Sequence, residues 1–105
     1  MDEFSRIERY FAPLTGAGAL GLRDDAAIME GGQAVVTKDC MVAGVHFIGD
    51  EDPALIARKL LRVNLSDLAA MGAQPSSYML GLMAPQHTPA EWFAAFARGL
   101  AEDQA

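Results

Sequence analysis

Acidic residues stand at three separated points of the sequence where carboxylates could hold a divalent cation. Asp67 falls in the apolar arc of a helix predicted over residues 53–71, where an unpaired carboxylate would lose its hydration. Asp24 and Asp25 follow a glycine-rich loop, and Asp39 ends a predicted strand. Mg²⁺ takes oxygen ligands and offsets the repulsion between neighbouring carboxylates. A structural cap or ion pair explains Asp67 equally well, and solvated turns explain the other acids, so both interpretations stay open.

Other chemically suggestive residues have simpler structural interpretations. Residues 16–21 match the spacing G-x-G-x-x-G, but no strand precedes them and no helix follows, so we predict a flexible loop. His46 is predicted as a core-edge histidine, with a ligand contact as the alternative. Cys40 lacks a partner cysteine or histidine motif and is interpreted as a small hydrophobic residue. The helically spaced aromatic residues Trp92, Phe93 and Phe96 are interpreted as core. The basic residues Arg58, Lys59 and Arg62 are interpreted as a solvated face.

Helices alternate with short apolar stretches along the chain. Helical spacing predicts a first helix over residues 2–11, and Asp52 begins a second helix that stops at Gly72. Thr88 and Glu91 form a predicted capping box that opens a third helix. The order of elements predicts an α/β or α+β fold, and the chain reads as the front part of a larger protein. Strands are predicted at residues 26–29, 33–38, 41–47 and 76–84.

The composition excludes several classes of protein. Of the 105 residues, 51% are hydrophobic and 21% are charged, which is typical of a packed domain and not of a disordered tail. The net charge of −6 argues against binding to nucleic acid or to an anionic membrane surface. The single cysteine excludes an internal disulfide, and no apolar run approaches the roughly 20 residues that span a bilayer. Because the N-terminus has no signal-peptide pattern, we expect a soluble, cytoplasmic chain.

Four sequence blocks carry a family resemblance. They are residues 3–11 (EFSRIERYF), 21–27 (GLRDDAA), 37–47 (TKDCMVAGVHF) and 63–73 (VNLSDLAAMGA), and the last is highly specific in its context. Together they resemble the N-terminal part of the thiamine-monophosphate kinase family, a member of the aminoimidazole-ribonucleotide-synthetase-like superfamily. The resemblance covers nearly the whole chain. It implies the N-terminal domain of that fold, a mixed sheet packed on helices, with residues 1–105 as a metal- and ATP-binding and dimerisation domain whose C-terminal companion is absent.

The resemblance implies an ATP-dependent, Mg²⁺-assisted transfer of a phosphoryl group to thiamine monophosphate, giving thiamine diphosphate and ADP. In such a transfer catalysis is mostly positioning and charge neutralisation, here by several Mg²⁺ ions. Matched position by position, Asp25, Asp39 and Asp67 correspond to metal ligands of the family, and Thr37 to a hydroxyl ligand of the same cluster. His46 corresponds to a substrate-contacting position. The resemblance also implies a homodimer for the complete protein.

Two positions depart from the family pattern. Arg23 stands where glycine is common, and Lys38 stands beside Asp39 where a small hydroxyl residue is common. A charged lysine does not ligate a metal, so these departures bear on the number and affinity of the ions. Family members also continue into a Gly-Gly-Asp segment that supplies another metal ligand, and then into a second domain. We therefore expect these 105 residues alone to show no catalytic turnover.

Two alternatives to this function remain at the level of the sequence. The first is another kinase or synthetase of the same superfamily, acting on a different small phosphorylated or carboxylated substrate. The second is a non-catalytic Mg²⁺-binding or dimerisation module. Thermal stabilisation by Mg²⁺ together with nucleotide and thiamine monophosphate separates these alternatives, since a purely structural module should not respond.

Overall fold

The architecture is helical. A computed structural model describes residues 2–105. It contains a short helix α1 (Glu3–Arg6) and two long helices, α2 (Pro53–Ala70) and α3 (Ala90–Gln104). Helix α1 runs on into a π-helical turn, Ile7–Phe11, and a 3-10 turn, Ala12–Leu14; further helical turns cover Ala17–Leu22.

Local signals define both ends of α2. The Asp52 carboxylate accepts a hydrogen bond from the Ala54 amide at 3.0 Å and so caps the N-terminus, while Pro53 occupies the first helical position. The helix ends where Gly72 takes a left-handed conformation with φ of 69°, and the amide of Ala73 returns to the Leu68 carbonyl. The predicted start and stop of this helix are therefore confirmed.

The core lies between the first turns of α2 and residues 93–100 of α3. Phe96 stacks on Trp92 with ring centroids 5.2 Å apart and meets Phe11 of the N-terminal turn edge-on at 6.5 Å. Gly99 brings the helices together so closely that a Cβ there would stand 2.8 Å from Ala54 Cα. The interpretation of the aromatic group as core is thus confirmed. The buried hydrophobic residues are Ala54, Ile56, Ala57, Phe93, Phe96, Ala97 and Leu100.

Ion pairs join the basic side of α2 to the acidic end of α3. Arg62 donates two hydrogen bonds to the Asp103 carboxylate, at 2.8 and 3.0 Å, and Arg58 pairs with Glu102. The hydrogen bond from Arg62 holds the pKa of Asp103 below its ordinary value. The predicted solvated face is found at Lys59 and Arg62, which are exposed, while Arg58 is half-buried. The two arginines also join the middle of α2 to the end of α3.

The predicted mixed sheet, and with it the α/β or α+β fold class, is wrong. Among residues 2–105 the only β pairing is an isolated bridge between Ala43 and Phe47, and the stretches 26–29, 33–38 and 76–84 take part in no ladder. Their apolar side chains are exposed, as at Val36 and Met83. Alternation and β-branched residues favour an extended backbone, but a strand also needs backbone hydrogen bonds from a neighbour, which periodicity does not reveal.

Candidate functional site

Asp67 lies on the last two turns of α2 and is exposed to solvent. The expectation that its carboxylate sits in a buried arc is wrong, because the fully buried residues of α2 are confined to its first turns. Asn64, one turn earlier, donates from its side chain to the Leu60 carbonyl at 2.9 Å. Helix α2 thus fixes the backbone of Asp67 and leaves its carboxylate in water.

Asp25, Thr37 and Asp39 lie on segment 23–40, which has neither helix nor ladder and bends at residues 24–26 and 31–33. Asp25 and Asp39 are exposed, and Thr37 is half-buried. One carboxylate oxygen of Asp39 accepts a hydrogen bond from the Cys40 amide at 2.9 Å, which orients the side chain along its own backbone. These oxygen-bearing side chains lie on a segment whose residues are nearly all exposed.

His46 lies on a loop, residues 41–51, that is closed by hydrogen bonds. The Val42 amide donates to Nδ1 of His46 at 2.9 Å, and the Gly44 amide donates to the Phe47 carbonyl at 2.6 Å. The prediction of a core-edge histidine is confirmed, because one ring nitrogen of His46 accepts a hydrogen bond and the neighbouring Phe47 packs against the core. The ring itself is exposed, so it is also open to a ligand.

Glu51 closes the far end of the same loop. Its carboxylate accepts from the Gly49 amide at 2.7 Å and from the Ile48 amide at 3.0 Å. These bonds, the Gly49 amide foremost, hold the pKa of Glu51 below its ordinary value. From α2, the Lys59 ammonium donates to the His46 carbonyl at 2.6 Å. The sequence analysis missed both residues: it did not consider Glu51, and it assigned Lys59 to a solvated face.

The glycine-rich residues 16–21 form tight helical turns instead of a flexible loop. Leu20 and Leu22 take positive φ values of 56°, and the Ile28 amide donates to the Gly18 carbonyl at 2.7 Å. A Cβ at residue 18 would collide with the Ile28 carbonyl, so glycine is required at this close approach. Arg23, one of the two departures from the family pattern, makes an exposed 3.4 Å pair with Glu8. Cys40, interpreted as an inert small hydrophobic residue, is exposed.

The candidate metal ligands do not converge in the described part of the chain. Across residues 2–105, no three acidic, histidine or cysteine side chains are grouped so that they could hold a metal ion. The donor chemistry itself suits Mg²⁺, since Asp25, Asp39 and Asp67 offer carboxylate oxygens and Thr37 a hydroxyl. The residues fit the ion by type but not by placement, and their assignment as ligands stays a prediction.

Known proteins match this chain along nearly its whole length. The family described as AIR synthase related protein, N-terminal domain, matches residues 23–105. The thiamine-monophosphate kinase of Caulobacter vibrioides is 50% identical over 98% of this chain and 31% of its own length. The thiamine-monophosphate kinase of Escherichia coli K12 is 43% identical over 93% of this chain and 32% of its own length. These similarities confirm the resemblance carried by the four sequence blocks.

The extent of the match also bears on function. The chain spans about a third of the length of these curated relatives. No solved structure matches it. Within residues 2–105, no helix combines the length and the apolar character needed to cross a bilayer.

Proposed function

Because the chain belongs to the family of AIR synthase related proteins, in their N-terminal domain, we propose that it supplies the front part of a thiamine-monophosphate kinase. The observation that carries the proposal is the 50% identity to the Caulobacter vibrioides kinase over 98% of the chain. The complete protein would transfer a phosphoryl group from ATP to thiamine monophosphate, giving thiamine diphosphate and ADP in thiamine diphosphate biosynthesis. Residues 1–105 would serve as its metal- and ATP-binding and dimerisation domain.

Asp25, Asp39, Asp67 and Thr37 are the proposed Mg²⁺ ligands. In a phosphoryl transfer the bound ions neutralise charge on the phosphates. The ion pairs in the described part of the chain use Glu8, Glu102 and Asp103, so they leave these carboxylates to other partners. Three of the four residues lie on the largely exposed segment 23–40, so bringing them to Asp67 requires a different placement of that segment.

His46 is the proposed substrate contact. Its Nδ1 accepts from the Val42 amide, so the hydrogen of the neutral ring lies on Nε2. The exposed Nε2–H can therefore donate to an acceptor atom of thiamine monophosphate, such as a phosphate oxygen.

A homodimeric, cytoplasmic enzyme is proposed for the complete protein. Support for a partner surface comes from large apolar side chains left in solvent, among them Val36 at 83% exposure, Met79 at 85% and Met83 at 98%. Contiguous exposed apolar surface is characteristic of protein contact sites. The free, exposed Cys40 suits a reducing compartment. Light scattering of the purified protein measures its assembly directly, and a monomer at micromolar concentration would contradict the dimer.

A chimera tests the proposed activity. Residues 1–105 replace the aligned third of the Caulobacter vibrioides kinase, and thiamine diphosphate and ADP are measured with thiamine monophosphate and ATP as substrates. We expect turnover by the chimera and none by the 105-residue chain alone. A folded chimera without turnover contradicts the proposal, and ADP formed with a different phosphate acceptor points to another reaction of the superfamily.

Two matched substitutions in the chimera test the ligand assignment. Asp67→Asn keeps the size of the side chain but removes the charge that binds a cation, so we expect kcat/KM to fall by about a hundredfold or more. Asp50→Asn removes a carboxylate from the loop near His46 and should leave kcat/KM within about twofold. Equal activities of the two variants would refute Asp67 as a metal ligand.

A further inference from the structure

Lys59 is the one side chain of α2 that bonds to the backbone of His46. Its ammonium donates to the His46 carbonyl at 2.6 Å, across 13 positions of sequence. We infer that Lys59 is a positioning residue for His46, holding the imidazole where it meets the substrate. This inference rests on the proposed function, in which His46 contacts thiamine monophosphate.

The loop that carries His46 needs an external anchor. Gly44 and Gly49 take positive φ values of 81° and 124°, and the isolated bridge between Ala43 and Phe47 lies within the loop itself. Its internal hydrogen bonds fix its shape, but they do not fix its place relative to the rest of the molecule. Contacts to the core and to α2 must therefore set the position of the imidazole.

Helix α2 provides a rigid base for that anchor. Lys59 follows directly after the buried turns that contain Ile56 and Ala57, which pack on α3. A cationic donor also bonds to a carbonyl more strongly than a neutral one does. Phe47, next to His46, packs against the same core. Two adjacent residues of the loop are thus fixed, one by apolar packing and one by Lys59.

The charge of Lys59 also acts on the end of the loop. Its ammonium contributes to the lowered pKa of Glu51, after the larger contributions of the Gly49 and Ile48 amides. Glu51 in turn holds those two amides. The direct contact of Lys59 with the loop is its hydrogen bond to the His46 carbonyl. The imidazole is left exposed, with Nδ1 occupied and the Nε2–H available to a ligand.

Kinetics of the chimera measure the effect on the substrate. In Lys59→Met we expect the KM for thiamine monophosphate to rise about tenfold while the KM for ATP stays within about twofold, because one charged hydrogen bond is lost. Lys59→Arg keeps a cationic donor and should recover most of the loss. The control is Arg98→Met, which removes a cation of α3 whose recorded partner is Glu102, 3.9 Å away. Equal KM values for thiamine monophosphate in Lys59→Met and Arg98→Met would overturn the inference.

A double-mutant cycle separates positioning from direct substrate binding by Lys59. If Lys59 acts through His46, adding Lys59→Met to His46→Ala should raise the KM for thiamine monophosphate by less than about twofold beyond His46→Ala alone. Independent, multiplying effects would mean that the ammonium contacts substrate itself, and would overturn the positioning role.

NMR of the 105-residue chain gives a readout that does not depend on turnover. The ring nitrogen shifts of His46 should report a hydrogen on Nε2 in the unchanged chain and in Lys59→Arg, and a mixture of tautomers in Lys59→Met. If the chimera lacks activity altogether, the proposed function fails. The NMR measurement alone then tests whether Lys59 positions the imidazole of His46. Identical ring signals in all three proteins would then refute it.

Discussion

The helix pair α2–α3 and segment 23–40 both contain large apolar side chains, but the helix pair buries them and the segment exposes them. Ile56 and Phe96 in the pair are 5% and 2% exposed, whereas Ile28 and Val36 in the segment are 61% and 83% exposed. A helix satisfies its own backbone and needs only one partner face to bury its apolar stripe. An extended segment needs backbone partners as well as packing. The difference matters for the candidate site, because Asp67 stands on the helix and Asp25 and Asp39 stand on the segment.

Truncating two phenylalanines tests the contrast most strongly. Phe96→Ala removes a buried ring that contacts Trp92 and Phe11, and it should lower the free energy of unfolding by about 3–5 kcal/mol. Phe4→Ala removes a ring that is 80% exposed and should change it by less than about 0.5 kcal/mol. Urea unfolding followed by circular dichroism measures both. Similar losses would show that the helix pair is not the core of the chain.

Two glycines sharpen the same contrast at the level of the backbone. In Gly99→Ala the new methyl group meets the backbone of Ala54, so the helices must separate, at a cost of about 1–3 kcal/mol that exceeds the gain in helix propensity. In Gly16→Ala nothing lies within 4 Å of the new methyl group, and stability should be unchanged or slightly higher. A loss at position 16 as large as that at position 99 would contradict the close helix contact.

The Arg62–Asp103 pair makes the stability of the helix pair dependent on pH. Because the folded-state pKa of Asp103 is lowered below 3.8, its contribution is present at neutral pH and is lost as the pH falls through the folded-state pKa. Melting temperatures between about pH 2.5 and 6 should therefore fall less steeply for Asp103→Asn than for the unchanged chain. Arg62→Gln removes the partner and should flatten the profile similarly. Parallel profiles for all three proteins would argue against this ion pair in solution.

The smallest expected change in the free energy of unfolding comes from a substitution in segment 23–40. Val36→Ala should alter the free energy of unfolding of the 105-residue chain by less than about 0.5 kcal/mol, because the side chain is already in water. Its matched partner, Ile56→Ala, should cost about 2–5 kcal/mol in the core. If Val36→Ala proved as costly as Ile56→Ala, residue 36 would have to be packed in solution.

Sequence reasoning succeeded at the two ends of α2, where the signal was local, but not at the start of α3. Asp52 and Gly72 bounded α2 because capping and a left-handed glycine act within a few residues. Thr88 did not form the predicted capping box, since its hydroxyl donates to the Pro85 carbonyl and no side chain caps α3. The strands failed because pairing is not local.

The candidate site was predictable only as a set of residue types. The four sequence blocks that contain Asp25, Asp39 and Asp67 identified the family. Spacing along the sequence does not predict which of these side chains lie close together in the fold. The hydrogen bond from Lys59 joins helix α2 to the backbone carbonyl of His46. Because every residue type has a backbone carbonyl, the sequence does not indicate which one accepts. Contacts of that kind become visible only once the loop and the helix are placed together.

Gln104 closes a junction that cannot form before the end of α3 has been synthesised. Its side-chain amide donates to the Leu14 carbonyl at 3.0 Å, and its oxygen accepts from the Tyr78 hydroxyl. One residue near the end of α3 thus joins points 90 and 26 positions earlier in the chain. On the ribosome the N-terminal turn must wait for nearly all of the following residues before this junction can close. Until then the first turns and the Tyr78 region have no mutual tether through Gln104.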